Sequence, residues 1–294
     1  MHDNNLPNFL VVGAMKSGTT TMYELLQQHS RITMSNIKEV HFFDYDEKYQ
    51  LGLPYYKRFF DVSPDTLAIG EVTPIYFLLP EIPKRIVEAL GEQTKIIVLL
   101  RNPVDRIISH YKMMLMNKKT NDSLSESIKK NLVWMEKGRK PHRDFSYIER
   151  SLYYPQLKRY FHFFPPENIK VVLFEKEFID QRRETMNEIF DFLSLPCEHI
   201  SLDIHTMQSA LPLNQKLNEI LNTGHPINQL GKRLIPTKKF RNKIKIMLNR
   251  LNSNQVRIGD NIEEIRDWLN RDIFNADIKK TEKLLSVDLS DWIS

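Results

Sequence analysis

Lys16-Ser17-Gly18-Thr19-Thr20 follows the apolar run Phe9 to Val12 and opens a helix-compatible stretch that reaches Gln28. A strand that ends in a glycine-bounded turn and passes into a helix start gathers free N–H groups and the positive end of the helix dipole at one point. That point suits a phosphate or sulfate. Gly13 and Gly18 stand in the register of a G-x-x-x-x-G phosphate loop, but Thr19 holds the position where such a loop carries its lysine, and Lys16 is the only lysine of the turn. An ATPase or kinase would also need Mg²⁺, held by a loop hydroxyl and by an Asp at the end of a second apolar strand. The second such run, Lys95 to Leu100, delivers Arg101 instead. A cation at a strand end suits a second phosphate directly, without metal. Taken alone, the loop is also compatible with an ordinary strand-to-helix connection.

Two further groupings could do chemistry. Leu100-Arg-Asn-Pro-Val-Asp-Arg-Ile-Ile-Ser-His-Tyr111 is a strand end with a proline in the first turn of the following helix, where its missing N–H costs nothing. Arg101 leaves the sheet at the carboxyl edge used by ligands of open α/β folds. Ser109, two turns along, could share a phosphate with it. The bland alternative is a surface network in which Arg101 and Arg106 pair with Asp105 or other acids. In Ile37-Lys-Glu-Val-His-Phe-Phe-Asp44, an extended backbone would turn Glu39, His41 and Phe43 to one face. A carboxylate beside an imidazole could serve as a general base, a role worth about 10²–10⁴-fold in rate. The alternative is an edge strand whose Glu39 lies in water.

The elements that must position these groups read as α/β. Strand-like runs at Phe9 to Val12, Lys95 to Leu100 and Ile169 to Phe174 alternate with helical patterns, which predicts a parallel sheet covered on both faces. Helices are expected at Thr20 to His29, Pro80 to Leu90, Pro103 to Met116, Leu124 to Lys137, Pro155 to Phe163 and Glu184 to Leu193. Three more are expected at Lys238 to Leu251, Ile262 to Phe274 and Asp277 to Leu285, with loops at Arg139 to Phe145 and Thr223 to Pro236. One domain over residues 1–294 is the simpler organisation, with the motifs in 9–195 and a helical, basic portion in 205–294.

With 294 residues and 41% hydrophobic content the chain can bury a substantial core. The single cysteine, Cys197, excludes an intrachain disulfide, and nothing around it supplies a base. A short polar start before the first strand and the lack of any run near about 18 apolar residues predict a cytoplasmic protein without a membrane span. Of the 42 Lys and Arg, nine fall between Gly224 and Gly259, a stretch with no Asp or Glu, and the remainder is mildly acidic. Such a run could be a solvated face, a lid over an anionic cofactor or a track for an anionic substrate. Nucleic acid is not expected as a partner, since no recognised binding module or interleaved aromatic residues accompany it.

In this order and spacing the motifs resemble the sulfotransferases that use 3′-phosphoadenosine 5′-phosphosulfate (PAPS), and within them the branch of the heparan sulfate glucosamine sulfotransferases and their bacterial relatives. The likeness covers roughly residues 9 to 195. It implies a single-domain, P-loop-like fold in which Lys16, Ser17, Gly18, Thr19 and Thr20 bind the 5′-phosphosulfate and Arg101 and Ser109 the 3′-phosphate. Glu39-Val-His-Phe-Phe-Asp44 matches the family's motif residue for residue, which puts the catalytic base on Glu39. Arg150-Ser-Leu-Tyr153, followed by Phe163-Phe-Pro165, resembles a segment near the nucleotide, so Tyr153 joins the expected cofactor contacts. The implied chemistry is in-line sulfuryl transfer to a hydroxyl or amine of a glycan, lipid or natural product. Lys16 would stabilise the leaving phosphate, and His41 would orient Glu39 or be the second candidate for base; no metal is expected. Lys232, Arg233 or Lys238 could close over the nucleotide. The heparan enzymes carry a lysine where this chain has Val72, and their disulfide-bearing C-terminal loop has no counterpart here, so a heparan acceptor is not expected. Asp272 to Trp292 instead looks like the ending of bacterial members. A P-loop kinase or NTPase, or an inactive nucleotide- or glycan-binding module, are the competing readings; oligomeric state is left open.

Overall fold

The computed structural model describes residues 5–203, 210–212, 253–255 and 259–293. Five strands form one parallel sheet in the order β2-β3-β1-β4-β5. They are β1 (Phe9–Gly13), β2 (Ile32–Met34), β3 (Ala68–Val72), β4 (Lys95–Leu100) and β5 (Ile169–Leu173). β1 lies between β3 and β4, with Leu10 level with Glu71 and Ile96. Its residues alternate between two cores as a strand's period of two requires: Leu10 and Val12 join one, Phe9 and Val11 the other.

The core on the Phe9 side is closed by α1 (Thr19–Leu26) and α8 (Arg182–Phe192), through Met22, Leu25, Leu26, Met186, Ile189 and Phe190. The opposite face is covered by the short α2 (Asp46–Gln50) and α3 (Gly52–Lys57), then α4 (Ile82–Leu90), α5 (Pro103–Met116), α6 (Leu124–Glu136) and α7 (Tyr153–Phe163). Near the C-terminus, α9 (Ile262–Trp268) passes through a π-helical turn at Leu269–Phe274 into α10 (Asn275–Leu285). Asp277 of α10 takes the backbone N–H groups of Tyr153 (2.8 Å) and Tyr154 (3.3 Å), and so supplies the N-terminal cap that α7 lacks from its own sequence. A separate antiparallel pair joins Ala210–Pro212 (β6) to Ser253–Gln255 (β7).

The α/β expectation holds, and the expected strands and helices within the described residues are found with ends shifted by a few positions. The expected helix at Lys238 to Leu251, the loop at Thr223 to Pro236 and nearly all of the basic run lie outside the described residues. β2 and β3 go unannounced in the sequence. β2 is only three residues long, and Gly70-Glu71 breaks the apolar run of β3. The glycine is a packing requirement, since a Cβ there would fall 2.2 Å from Cζ of Phe9. Glu71 is fully buried.

After β1 the chain turns towards β2 and β3; after β4 it turns the other way, towards β5. The crevice between the carboxyl ends of β1 and β4 is therefore the topological switch point of the sheet, where ligands of open α/β folds sit. The turn at 14–18 and Arg101 both lie there.

Candidate active site

The 14–18 turn is shaped by Gly18, whose φ of +88° an L side chain rarely adopts; a Cβ would also lie 2.8 Å from the Phe174 ring. No side chain caps α1, so the first N–H groups of the helix, at Thr19, Thr20 and Thr21, face the crevice without an intrahelical partner. Ser17 and Thr19 are buried, Thr20 is exposed, and the Ser17 Oγ has no partner.

Cations converge on this turn. Arg101 Nη1 donates to the Lys16 carbonyl (3.2 Å), and the Arg101 guanidinium lies over the Phe174 ring. Burial first, then the charges of Arg101, Arg106 and Lys38, hold the Lys16 ammonium below its ordinary pKa. Arg106 and Arg150 are almost fully buried; burial, with the charge of Arg101 on Arg106 and of Arg106 on Arg150, brings them down to about 10 and about 9. Their partners are neutral. Arg106 donates to Ser151 Oγ and the Tyr147 carbonyl (both 2.6 Å), and Arg150 to the Arg143 carbonyl (2.6 Å). Among the described residues the acid paired with Arg101 is Glu175, at 3.8 Å from Nε. Among the described residues Arg101 Nε, Arg106 Nη1 and Arg150 Nε are buried without a hydrogen-bond acceptor. The alternative of a surface network is met only in part: Arg101 does lie beside an acid, Glu175, but Arg106 is in the core and Asp105 pairs with Arg266 of α9 (2.5 Å). A buried group of cations with unused donors is unfavourable unless an anion completes it.

The Glu39 segment differs from the extended form considered above. Glu39 and His41 have φ of +63° and +57°, and the stretch from Lys38 to Asp44 belongs to no strand. Alternation is lost, and Phe42 and Phe43 are both buried. Two left-handed residues nevertheless bring the functional groups together. Glu39 Oε1 meets Lys38 Nζ at 2.6 Å, and Oε2 meets His41 Nε2 at 3.5 Å. His41 Nδ1 lies 2.9 Å from Asp44 Oδ2, which also takes Arg143 Nη1 at 2.6 Å. Burial would raise the Glu39 carboxyl, but the His41 bond and the Lys38 charge outweigh it and hold it at about 2. Burial would likewise lower His41; Asp44 and Glu39 outweigh it and lift the imidazole to about 9. At neutral pH the cluster is a carboxylate flanked by an ammonium and an imidazolium.

Of the other expected residues, Ser109 is half-buried on α5. Tyr153 is buried with its hydroxyl committed to the Arg101 carbonyl (2.7 Å), so it acts on the crevice through Arg101. Asp44 stands in the quoted motif but had no assigned role. Arg143 has no local signal, since it reaches Asp44 from a loop 99 residues away.

A family model described as the sulfotransferase domain matches residues 6–243. The chain belongs to the sulfotransferase family. It is 28% identical over 199 residues to heparan sulfate glucosamine 3-O-sulfotransferase 5 of Mus musculus, covering 67% of this chain and 56% of that protein. A further relative is the membrane-associated sulfotransferase kil1 of Dictyostelium discoideum, 37% identical over 121 residues, which cover 40% of this chain and 25% of that one. The chain thus spans little more than half the length of the mouse relative. A solved sulfotransferase from Alicyclobacillus acidocaldarius superposes over 98% of this chain and 99% of its own, with a TM-score of 0.70 and 25% identity. Among the described residues no helix is long and apolar enough to cross a membrane.

Proposed function

We propose that this sulfotransferase moves a sulfuryl group from PAPS to a hydroxyl or amine of a saccharide, lipid or natural-product acceptor. The observation that carries the proposal is the pairing of two unlike sites at one sheet edge. One is a set of buried cations with unused donors around an uncapped helix start; the other is a carboxylate turned outward by His41 and Lys38. The free N–H groups at the start of α1 and the partly exposed Lys16 and Arg101 fit a ligand with several anionic oxygens, as a donor bearing phosphates at both ends of its ribose provides, with the buried Arg106 and Arg150 adding positive charge behind them. PAPS supplies an activated sulfuryl group on a phosphate leaving group.

In this reading Ser17, Gly18, Thr19 and Thr20 bind the 5′ end, with Arg101 and Ser109 on the 3′-phosphate. Tyr153 keeps Arg101 in place. Lys16 donates to the phosphate side of the breaking bond, where negative charge grows as transfer proceeds. Its depressed pKa leaves it a better proton donor than a free lysine. Glu39 takes the proton from the attacking hydroxyl or amine. At about 2 it is a weak base while Lys38 holds Oε1; an acceptor that displaces the ammonium raises its basicity as it binds. His41, held by Asp44, which Arg143 in turn fixes, keeps Oε2 oriented throughout.

The test has two steps. Calorimetry with adenosine 3′,5′-bisphosphate (PAP), the desulfated donor, should show binding, and sulfur-labelled PAPS incubated with a metabolite extract should yield a labelled product by mass spectrometry. Mg²⁺-dependent ATP turnover with no PAP binding would overturn the proposal in favour of a kinase or NTPase. PAP binding without transfer to any acceptor would favour an inactive binding module.

A further inference from the structure

Below the Glu39 cluster lies a buried polar group that the proposed chemistry does not use. Glu71, at the end of β3, has no exposed surface, and neither do Tyr56, Thr73 and Tyr76. Three hydroxyls donate to its carboxylate: Tyr56 from α3 and Tyr76 (3.2 Å) to Oε1, and Thr73 (2.6 Å) to Oε2. Because an ionised carboxylate only accepts, the Tyr76 proton must point at it, which leaves the phenolic lone pairs free on the other side. There the hydroxyl receives the backbone N–H of Phe42 (2.9 Å) and of Phe43 (3.3 Å). The same strand end takes the Glu39 N–H at the Val72 carbonyl (3.1 Å). The segment is thus gripped on both sides of His41, where Glu39 and His41 hold left-handed conformations that cost non-glycine residues energy. Burying a carboxylate is expensive, and a purely structural site could be filled by packed apolar groups at less cost.

We infer that Glu71 is a positioning residue for sulfuryl transfer, acting through the Tyr76 hydroxyl to fix the backbone that aims Glu39 and His41. This rests on the sulfuryl-transfer reading above, and it separates two tyrosines on one carboxylate. The Tyr76 hydroxyl accepts from the Phe42 and Phe43 amides; the Tyr56 hydroxyl bonds Glu71, and its ring, which phenylalanine retains, stacks on Phe42. Tyr76→Phe and Tyr56→Phe each remove one hydroxyl from Glu71, but only the first frees the two amides.

The experiment compares both variants with the wild type for PAP affinity, for label transfer from PAPS at saturating donor into the same extract, and for amide hydrogen exchange at residues 39–44. Tyr76→Phe should lose about 10²-fold in transfer, the scale of a misplacement of about 1 Å. It should keep PAP affinity within about twofold, because no donor contact is altered, and speed exchange at Phe42 and Phe43 about tenfold. Tyr56→Phe should stay within about threefold of wild type in all three. Should Tyr76→Phe fail to fold, Glu71→Gln and Glu71→Leu decide. The Gln amide oxygen can accept from both tyrosines while its NH₂ donates to Thr73, so Gln should retain transfer that Leu loses. Equal losses in the two tyrosine variants, unchanged transfer in Tyr76→Phe, or a parallel fall in PAP affinity would each overturn the inference. A wild type that binds PAP but transfers nothing overturns the sulfuryl-transfer reading itself; exchange at Phe42 and Phe43 would then show the anchor to be structural only.

Discussion

Glu39 is the residue at which the chemistry is most exposed to test. Its carboxylate form is secured by two neighbouring positive groups, so Glu39→Gln removes the proton acceptor but leaves the cations around the 14–18 turn untouched. Transfer should fall by about two to four decades, with PAP affinity by calorimetry nearly unchanged. Wild-type turnover in that variant would remove Glu39 from the role of base. The ionisation can be followed directly by carbon NMR of the side chain. In the wild type the Glu39 carboxyl should titrate at about 2 and His41 at about 9. Burial acts on Glu39 in the opposite direction from its partners. In a Lys38→Ala, His41→Ala double variant the partners that outweigh burial are gone and only the more distant Arg150 charge still favours the carboxylate, so the carboxyl should titrate well above 2. A value staying near 2 would mean that other groups hold the charge. The signs also fix the stability linkage. The His41 contribution is complete below its unfolded value of 6.5 and is lost as pH rises through about 9; the Glu39 contribution is present above 4.5 and is lost as pH falls through about 2.

Elements were legible where a pattern is local and obscure where a partner is distant. The strand-turn-helix around Lys16 and the Arg101 strand end could be read because hydrophobic runs, glycines and a proline mark them within a few residues. β3 could not, because Gly70 answers to the distant Phe9, and Glu71 is buried against the Tyr56, Thr73 and Tyr76 hydroxyls, which no hydrophobic pattern marks. The Glu39 stretch was found by its residue types, yet its backbone was misjudged: an alternating pattern suggests a strand, while contacts from Tyr76 and Val72 hold two left-handed turns. The N-terminus of α7 shows the same dependence. Its cap comes from Asp277, 124 residues away, and the hydroxyl of its first residue, Tyr153, steadies Arg101. Asp277→Ala should therefore cost about 0.5–2 kcal/mol in urea unfolding, as lost caps do. It should also weaken PAP, although Asp277 lies on another helix. Burial, opposed by the two N–H bonds and Lys280, raises the Asp277 carboxyl to about 6, so Asp277→Asn, whose amide oxygen can still accept, should be far milder at neutral pH. Equal destabilisation by Ala and Asn would show that charge, not the cap, is what matters.

At the scale of the whole molecule, the crevice between β1 and β4 concentrates positive charge that the acids among the described residues, Glu175 beside Arg101 foremost, offset only in part. Arg106 and Arg150 are buried with neutral hydrogen-bond partners, and their charges and that of the half-buried Lys16 add to Arg101, so the ligand-free fold carries an electrostatic cost that a bisphosphate should relieve. Binding to the native state alone stabilises by RT ln(1 + [L]/Kd), about 2.7 kcal/mol at a hundredfold excess over Kd. For a chain of this size that corresponds to a rise in Tm of roughly 5–10 °C. At one fixed concentration PAP should therefore raise Tm clearly more than adenosine 5′-phosphate, which lacks the 3′ group. Added salt should shrink both shifts as the charges are screened. The difference between the two ligands isolates the 3′-phosphate, and Arg101→Ala should abolish that difference while leaving the smaller shift from the 5′ end. If the two ligands shift the wild type equally, or if their difference survives in Arg101→Ala, the second phosphate lies elsewhere and the pairing of Lys16 with Arg101 across the switch point loses its functional meaning.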